Sequence, residues 1–301
     1  VNIIGEHATW HRELDAPLNS DIAGVSRPVS HWLRTCEDGS ALAGDAAEAV
    51  AAATSPPGGI ATLIMPADLA WQDGPPPGDP LPAAAPAPVD GERIRAVARA
   101  LASGEPAALL VNGPVLRSRG LELASRVANE SGARLLTDTF VGRQERGAGR
   151  AVIGRLPYFA EEAREALAGI RHLVLVNTRE PVTFFAYPGV PSRIAPDGCE
   201  IVSLAEPGED GIGALEALAD ELGAGADRAE LASARQPGPP TGDLGAETLA
   251  LAIAAVLPEN AVVSDESATS GGGLLPATAT APPHDWLMLT GGSIGQGLPV
   301  A

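Results

Sequence analysis

Between residues 90 and 225 short apolar runs alternate with stretches of helical period, and that alternation leaves few folds open to the chain. The runs at 107–111, 133–137, 173–176 and 200–204 are dominated by Ala, Leu, Val and Ile. Strands that are apolar on both faces must be covered on both faces, and such strands are usually parallel. The intervening stretches at 92–102, 120–130, 158–167 and 213–221 carry the spacing of amphipathic helices and supply the cover. The expectation is a doubly wound α/β domain joined by right-handed crossovers.

The flanking segments are built from the same units. Residues 1–5 read as the second half of a strand, followed by a polar loop over 6–15 and a helix-like stretch over 21–33. An alanine-rich helix over 45–54 and a buried strand over 59–65 complete this part. Residues 73–89 are rich in proline, which fixes φ and lacks a ladder donor, so they read as an extended linker. Residues 226–242, rich in Ala, Gly and Pro, read as a second one. Beyond it come a helix over 246–256, a strand over 260–264 and a closing strand over 286–289. The predicted divisions are therefore 1–72, 73–89, 90–225, 226–242 and 243–301, and the chain reads as cut at both ends.

Composition narrows the partners. The net charge is −18 and all 20 basic residues are Arg, a balance that disfavours nucleic acid and anionic membrane surfaces. No apolar run is long enough to span a bilayer and no signal peptide is evident, so a cytoplasmic location is expected. Cys36 and Cys199 are far apart and without metal-ligand spacing, and read as reduced thiols.

The motifs cluster near the end of the chain. An apolar strand from Trp286 runs into glycines at 291, 292, 295 and 297. A strand feeding a glycine turn and a helix start is where α/β proteins hold phosphorylated ligands. Asp265-Glu266-Ser267-Ala268-Thr269-Ser270 follows another strand, and its hydroxyls could serve the same ligand or simply cap a helix. Gly113-Pro114-Val115-Leu116-Arg117 lacks the spaced glycines of a dinucleotide turn. His7 and His11 share a loop with Glu6, Glu13 and Asp15, but a loop facing a substrate pocket fits them better than a metal site. No Gly-x-Ser-x-Gly elbow is present, so a hydrolase triad finds no support.

Val262 to Ser267, with Asp285 to Pro299, resembles the opening of the diphosphate-binding domain of thiamine-diphosphate-dependent enzymes, of the acetolactate synthase and benzoylformate decarboxylase type. The first segment, through Gly5-Glu6-His7-Ala8, Asp15-Ala16-Pro17-Leu18 and Pro66-Ala67-Asp68-Leu69, resembles the tail of that family's pyrimidine-binding domain. The resemblance covers nearly the whole chain and is most specific in the closing motif. It implies a Rossmann-like central domain flanked by partial α/β thiamine-diphosphate-binding domains.

It also implies a carboligase or decarboxylase acting on a 2-oxo acid, as a homodimer or homotetramer, with thiamine diphosphate and Mg2+. FAD occupies the central domain in some members, although no residue here calls for it. By position, the Gly292 carbonyl would accept from the cofactor's 4′-amino group and Ile294 would be the apolar wedge beneath it. Ser267, Thr269 and Ser270 would lie near the diphosphate. The family's activating glutamate belongs upstream of Val1 and its Gly-Asp-Gly metal segment beyond Ala301. Neither a catalytic residue nor a metal ligand is therefore assigned within the chain, and the fragment is expected to be inactive. The competing reading is a nucleotide-binding or regulatory α/β module without catalysis.

Overall fold

Residues 1–301 are all described by the computed structural model. Contacts divide them into two units, Val1–Ala87 and Pro88–Ala301. No helix is long and apolar enough to cross a membrane.

The first unit runs β1 (Asn2–Glu6), α1 (Ile22–Ser26), β2 (Trp32–Thr35), α2 (Leu42–Thr54), β3 (Ala61–Pro66) and α3 (Ala67–Ala70). Its three strands are parallel in the order β1-β3-β2. Central β3 is buried at five of its six positions, as an unbroken apolar run requires. Cys36, Leu63 and Leu69 form the core, with Trp32, Leu42 and Ala46 packed on it. Arg34 of β2 ties α2 to the sheet through Asp45 at 2.7 Å and Glu48 at 2.6 Å.

The stretch expected to be helical over 21–33 is so only at its start. Asp21 caps α1 by accepting from the Gly24 N–H at 2.7 Å. After one 3-10 turn containing Pro28, the His31 and Trp32 N–H groups turn to the Ile60 carbonyl and open β2. Pro28 has no N–H with which to continue the helix ladder, and the edge of β3 offers a partner instead. The proline-rich stretch 73–87 has no helix or strand within this unit, and its Ala84 N–H donates to Ser55 Oγ at the end of α2.

The second unit runs α4 (Gly91–Leu101), β4 (Ala107–Val111), α5 (Ser118–Ser131), β5 (Arg134–Thr137), β6 (Gln144–Arg146), β7 (Gly154–Arg155), α6 (Ala160–Ala166), β8 (His172–Val176), β9 (Glu200–Ala205) and α7 (Gly211–Leu222). It then continues through α8 (Ala246–Val256), β10 (Val262–Ser264), α9 (Leu274–Thr278), β11 (His284–Leu287) and α10 (Gly297–Val300). Its main sheet is parallel throughout, in the order β7-β5-β4-β8-β9. The first strand is thus in the middle, and the chain winds outward from it in both directions.

Alternate side chains of β4 enter different cores, because strand side chains alternate faces. Leu109 and Val111 pack with Val97 and Leu101 of α4, Leu121 of α5 and Leu215 of α7. Ala108 and Leu110 pack with Ala163 of α6 and with Leu167 and Ile170. Each fully buried leucine contributes about 1.5–3 kcal/mol, so this two-sided burial is what fixes the sheet.

A smaller sheet sets β11 between β10, parallel to it, and β6, antiparallel to it. Strand β6 lies between β5 and β7 in sequence, so the middle segment and the closing segment share a sheet within this unit. Trp286 of β11 is the largest fully buried side chain and, with Met288, joins the core of Leu109 and Val111. The predicted linker at 226–242 is knitted in place: Leu231 bridges to Ala151, and the Gln236 amide donates to the Ala255 and Leu257 carbonyls at the end of α8.

Candidate functional site

Parallel strands side by side deliver their following loops to the same edge. The Asp265 N–H donates to the Leu287 carbonyl at 2.8 Å, so the loop after β10 and the glycine bend after β11 emerge as neighbours. Asp265 organises the first loop. Its carboxylate accepts from the Trp286 indole N–H at 3.0 Å, the Ser267 N–H at 2.9 Å and the Ser267 hydroxyl at 2.5 Å.

The bend is held from both sides. Gly291 and Gly292 have φ of 63° and 69°, the left-handed region that side chains other than glycine rarely adopt. The Glu266 carboxylate accepts from the Gly295 N–H and, at 2.6 Å, from the Gly297 N–H. A Cβ on Gly297 would lie 2.7 Å from that carboxylate, so the contact requires glycine. Gln296 straps the two limbs together, donating to the Met288 carbonyl at 2.9 Å and accepting from the Thr290 hydroxyl at 2.6 Å.

Between these loops and the edge of the main sheet lies a cleft of about 740 Å³. Ser267, Thr269, Gly292 and Ile294 all line it. Thr269 is exposed with no hydrogen-bond partner from the protein, and Ile294, 79% exposed, is no part of the core. Ser270 lies outside the lining, its hydroxyl donating to the Ser267 carbonyl at 3.1 Å.

The far wall comes from the ends of the main sheet, and sequence reasoning missed it. Arg155, closing β7, lines the cleft with no carboxylate in ion-pair range; its nearest polar contact is the Met288 sulfur at 3.9 Å. Desolvation lowers its pKa from the ordinary arginine value, and the charge of Asp265 opposes that shift. Phe140 and Tyr158 are 6.0 Å apart, and Phe184 stands 5.5 Å from Phe140 and 4.9 Å from Tyr158. Tyr158 also meets Phe159 at 5.4 Å. A Cβ on Gly292 would be 3.5 Å from Phe140, so the bend lies directly against these rings. The available signal was that every Phe and Tyr of the chain falls between residues 140 and 187.

Other sequence candidates are placed differently. At the turn after β4, Asn112 accepts from the Gly113 N–H at 2.7 Å and donates to Asp138 at 2.5 Å, while Val115 and Leu116 are buried. Burial raises the pKa of Asp138, and hydrogen bonds from Thr178 and Asn112 oppose the rise. In the first unit His7 and His11 stand 5.3 Å apart beside a pocket of about 520 Å³ shared with Glu6, Trp10 and Trp71. No group of three or more His, Cys, Asp or Glu side chains is placed to hold a metal ion. Asp68 secures that loop, accepting from the Thr9 N–H and hydroxyl at 2.9 Å each.

A parallel sheet wound outward from its centre, with a glycine bend on an adjoining small sheet, recurs in solved thiamine-diphosphate-dependent enzymes. A 4-hydroxybenzoylformate decarboxylase of that class from Rhodococcus jostii superposes over 99% of the chain and 60% of its own, with TM-score 0.74 and 18% identity. Benzoylformate decarboxylase from Polynucleobacter necessarius gives 0.65 and 15% over 99% and 59%. These likenesses establish the fold. In sequence, the chain is 50% identical over its whole length to the Mycobacterium tuberculosis protein named "Putative acetolactate synthase large subunit IlvX". The chain is therefore similar to an acetolactate synthase large subunit, and spans 58% of that relative's length. No family model matches it.

Proposed function

We propose that this chain carries the cofactor-facing cleft of a thiamine-diphosphate-dependent carboligase or decarboxylase acting on a 2-oxo acid. One observation carries the reading: the glycine bend after β11 and the loop after β10 share a single cleft at a sheet edge. The residues there suit the group. Three glycines of positive φ bring main chain to the surface, Thr269 offers a free hydroxyl, and Ile294 presents an apolar side chain without burying it.

In this reading Ser267 and Thr269 lie toward the diphosphate, with Ser270 one step behind them. The Gly292 main chain holds the aminopyrimidine and Ile294 supports the folded form. Once bound, thiamine diphosphate supplies an electron sink for cleavage of the bond to the 2-oxo acid's carboxylate. The chain's own work is positional. Glu266 and Gln296 keep the bend rigid, so that holding the cofactor requires little reorganisation. Trp286 fixes Asp265, and Asp265 fixes Ser267. The aromatic wall keeps water from that side of the cleft. Mg2+, a homodimer or homotetramer and a cytoplasmic location belong to the same proposal, as does the division into pyrimidine-binding, central and diphosphate-binding parts.

The test is carbon dioxide release from a panel of 2-oxo acids by the full gene-length protein supplied with thiamine diphosphate and Mg2+. Release that depends on the cofactor supports the proposal. No release, together with no cofactor binding in a titration, would move the weight to a module without catalysis.

A further inference from the structure

Arg146 of β6 carries a charge into the layer behind the cleft and finds no counter-ion there. Burial lowers its pKa to about 10, and the charge of Arg155 adds to the fall. Glu145 and Asp285, beside it on β6 and β11, point to the opposite face of the small sheet, where they hold Arg150 and Arg143. Across from Arg146 in register stands His284, whose Nδ1 is engaged with the Pro282 carbonyl at 2.7 Å. The Arg146 Nε–H is buried without an acceptor. A buried cation without a counter-ion lowers stability, and a methionine of similar length would fill the same space without that penalty.

What the guanidinium adds is reach. It lies over the Trp286 ring, 5.8 Å from the ring centre, and its Nη2 donates to the Leu275 carbonyl at 2.6 Å. Trp286 in turn donates to Asp265 at 3.0 Å. Asp265 opens the loop after β10 and Leu275, in the first turn of α9, closes it; both line the cleft, with Ser267 and Thr269 between them. The loop is therefore gripped at its start by Trp286 and at its finish by Arg146, and the two gripping side chains lie against each other. An apolar side chain could cover the Trp286 ring but could not reach the carbonyl.

We infer that Arg146 is a positioning residue: by tying the Leu275 carbonyl to the Trp286 ring it fixes the span of the 265–275 loop, and with it the places of Ser267 and Thr269 in the cleft. The inference rests on the function proposed above. It gives the middle segment a part in that function, since β6 lies between β5 and β7 in sequence and reaches the loop only through its pairing with β11. A residue that lowers stability where it stands is retained for what it orders.

Arg146→Met separates this role from packing. In the 301-residue chain its melting temperature should equal or exceed that of the unmodified chain, because the buried charge is gone. Hydrogen–deuterium exchange in peptides covering 265–275 should nonetheless be about tenfold or more faster, the factor carried by one hydrogen bond to a charged group, with those of β4 and β8 unchanged. Arg146→Lys, which keeps a charged donor, should recover part of that protection. In the full gene-length protein Arg146→Met should raise the half-saturating concentration of thiamine diphosphate about tenfold and leave kcat at saturating cofactor unchanged. A lower melting temperature with faster exchange throughout the chain would make Arg146 an ordinary packing residue and overturn the inference. An unchanged loop would do the same, as would a loosened loop with an unchanged cofactor requirement. If the unmodified full gene-length protein does not respond to thiamine diphosphate, the proposed function falls, and exchange in the 301-residue chain still decides whether Arg146 sets the loop.

Discussion

Glu266→Ala should loosen the glycine bend without unfolding the protein. The carboxylate accepts two main-chain N–H groups, from Gly295 and from Gly297, the latter at 2.6 Å. A hydrogen bond to a charged group is worth about 1.5–3 kcal/mol, and the partial exposure of Glu266 favours the low end. Losing both, and leaving both amides to water, should cost about 2–3 kcal/mol of local stability. That corresponds to roughly 30- to 150-fold faster opening of the bend. Hydrogen–deuterium exchange reads it directly: the amides of Gly295 and Gly297 should lose protection by that factor, while those of β4 and β8 stay protected. Glu266→Gln retains one accepting oxygen and should fall between. If both amides exchange in Glu266→Ala as they do in the unmodified chain, the carboxylate does not hold the bend and the rigidity argument fails.

Three further outcomes follow from the packing and the charges. Leu109→Ala empties a fully buried site in the centre of the main sheet and should cost about 2–5 kcal/mol in urea denaturation. Asp285 is gripped by Arg143 through two bonds, at 2.7 and 2.6 Å, and Arg143 holds its carboxyl below the ordinary 3.8. Asp285→Asn should therefore lower stability by about 1–2 kcal/mol at pH 7, and by progressively less as the pH falls below 3.8 through the lowered pKa of the native carboxyl. Burial lowers the His284 pKa from its ordinary 6.5, so the unfolded chain takes up this proton first. Stability should be full above pH 6.5 and decline as the pH drops below it; a His284→Asn variant should lack that part of the decline in pH-dependent melting.

The fold was legible where local pattern and tertiary demand agree. The run at 107–111 and the helix at 246–256 stand where the sequence puts them, since each is apolar in the period of its own element. Strand β6, Gln144-Glu145-Arg146, has no apolar pattern at all and is a strand only because β11 lies beside it. Strand β2 was absorbed into a predicted helix because Trp32 and Leu33 continue the spacing of the residues before them. The closing strand lies two residues earlier than expected, since Met288 is already held by Gln296 in the bend.

The cleft divides in the same way. Ser267, Thr269, Gly292 and Ile294 sit on two loops whose strands are neighbours, so a reading of strand ends could bring them together. Arg155 ends β7, while Phe140 and Tyr158 follow β5 and β7, and they meet at the cleft only through the pairing of those strands. The grip of Glu266 on two glycine amides could not be read from spacing. A carboxylate thirty residues from its partners leaves no local signature.

The central claim is that the bend after β11 and the loop after β10 together face a bound thiamine diphosphate. Exchange mass spectrometry with millimolar thiamine diphosphate and Mg2+ tests it most directly. Slowed exchange in peptides covering 265–270 and 288–297, with those covering α5 and α7 unchanged, is the predicted footprint. Protection elsewhere, with both loops exchanging as before, would contradict the account.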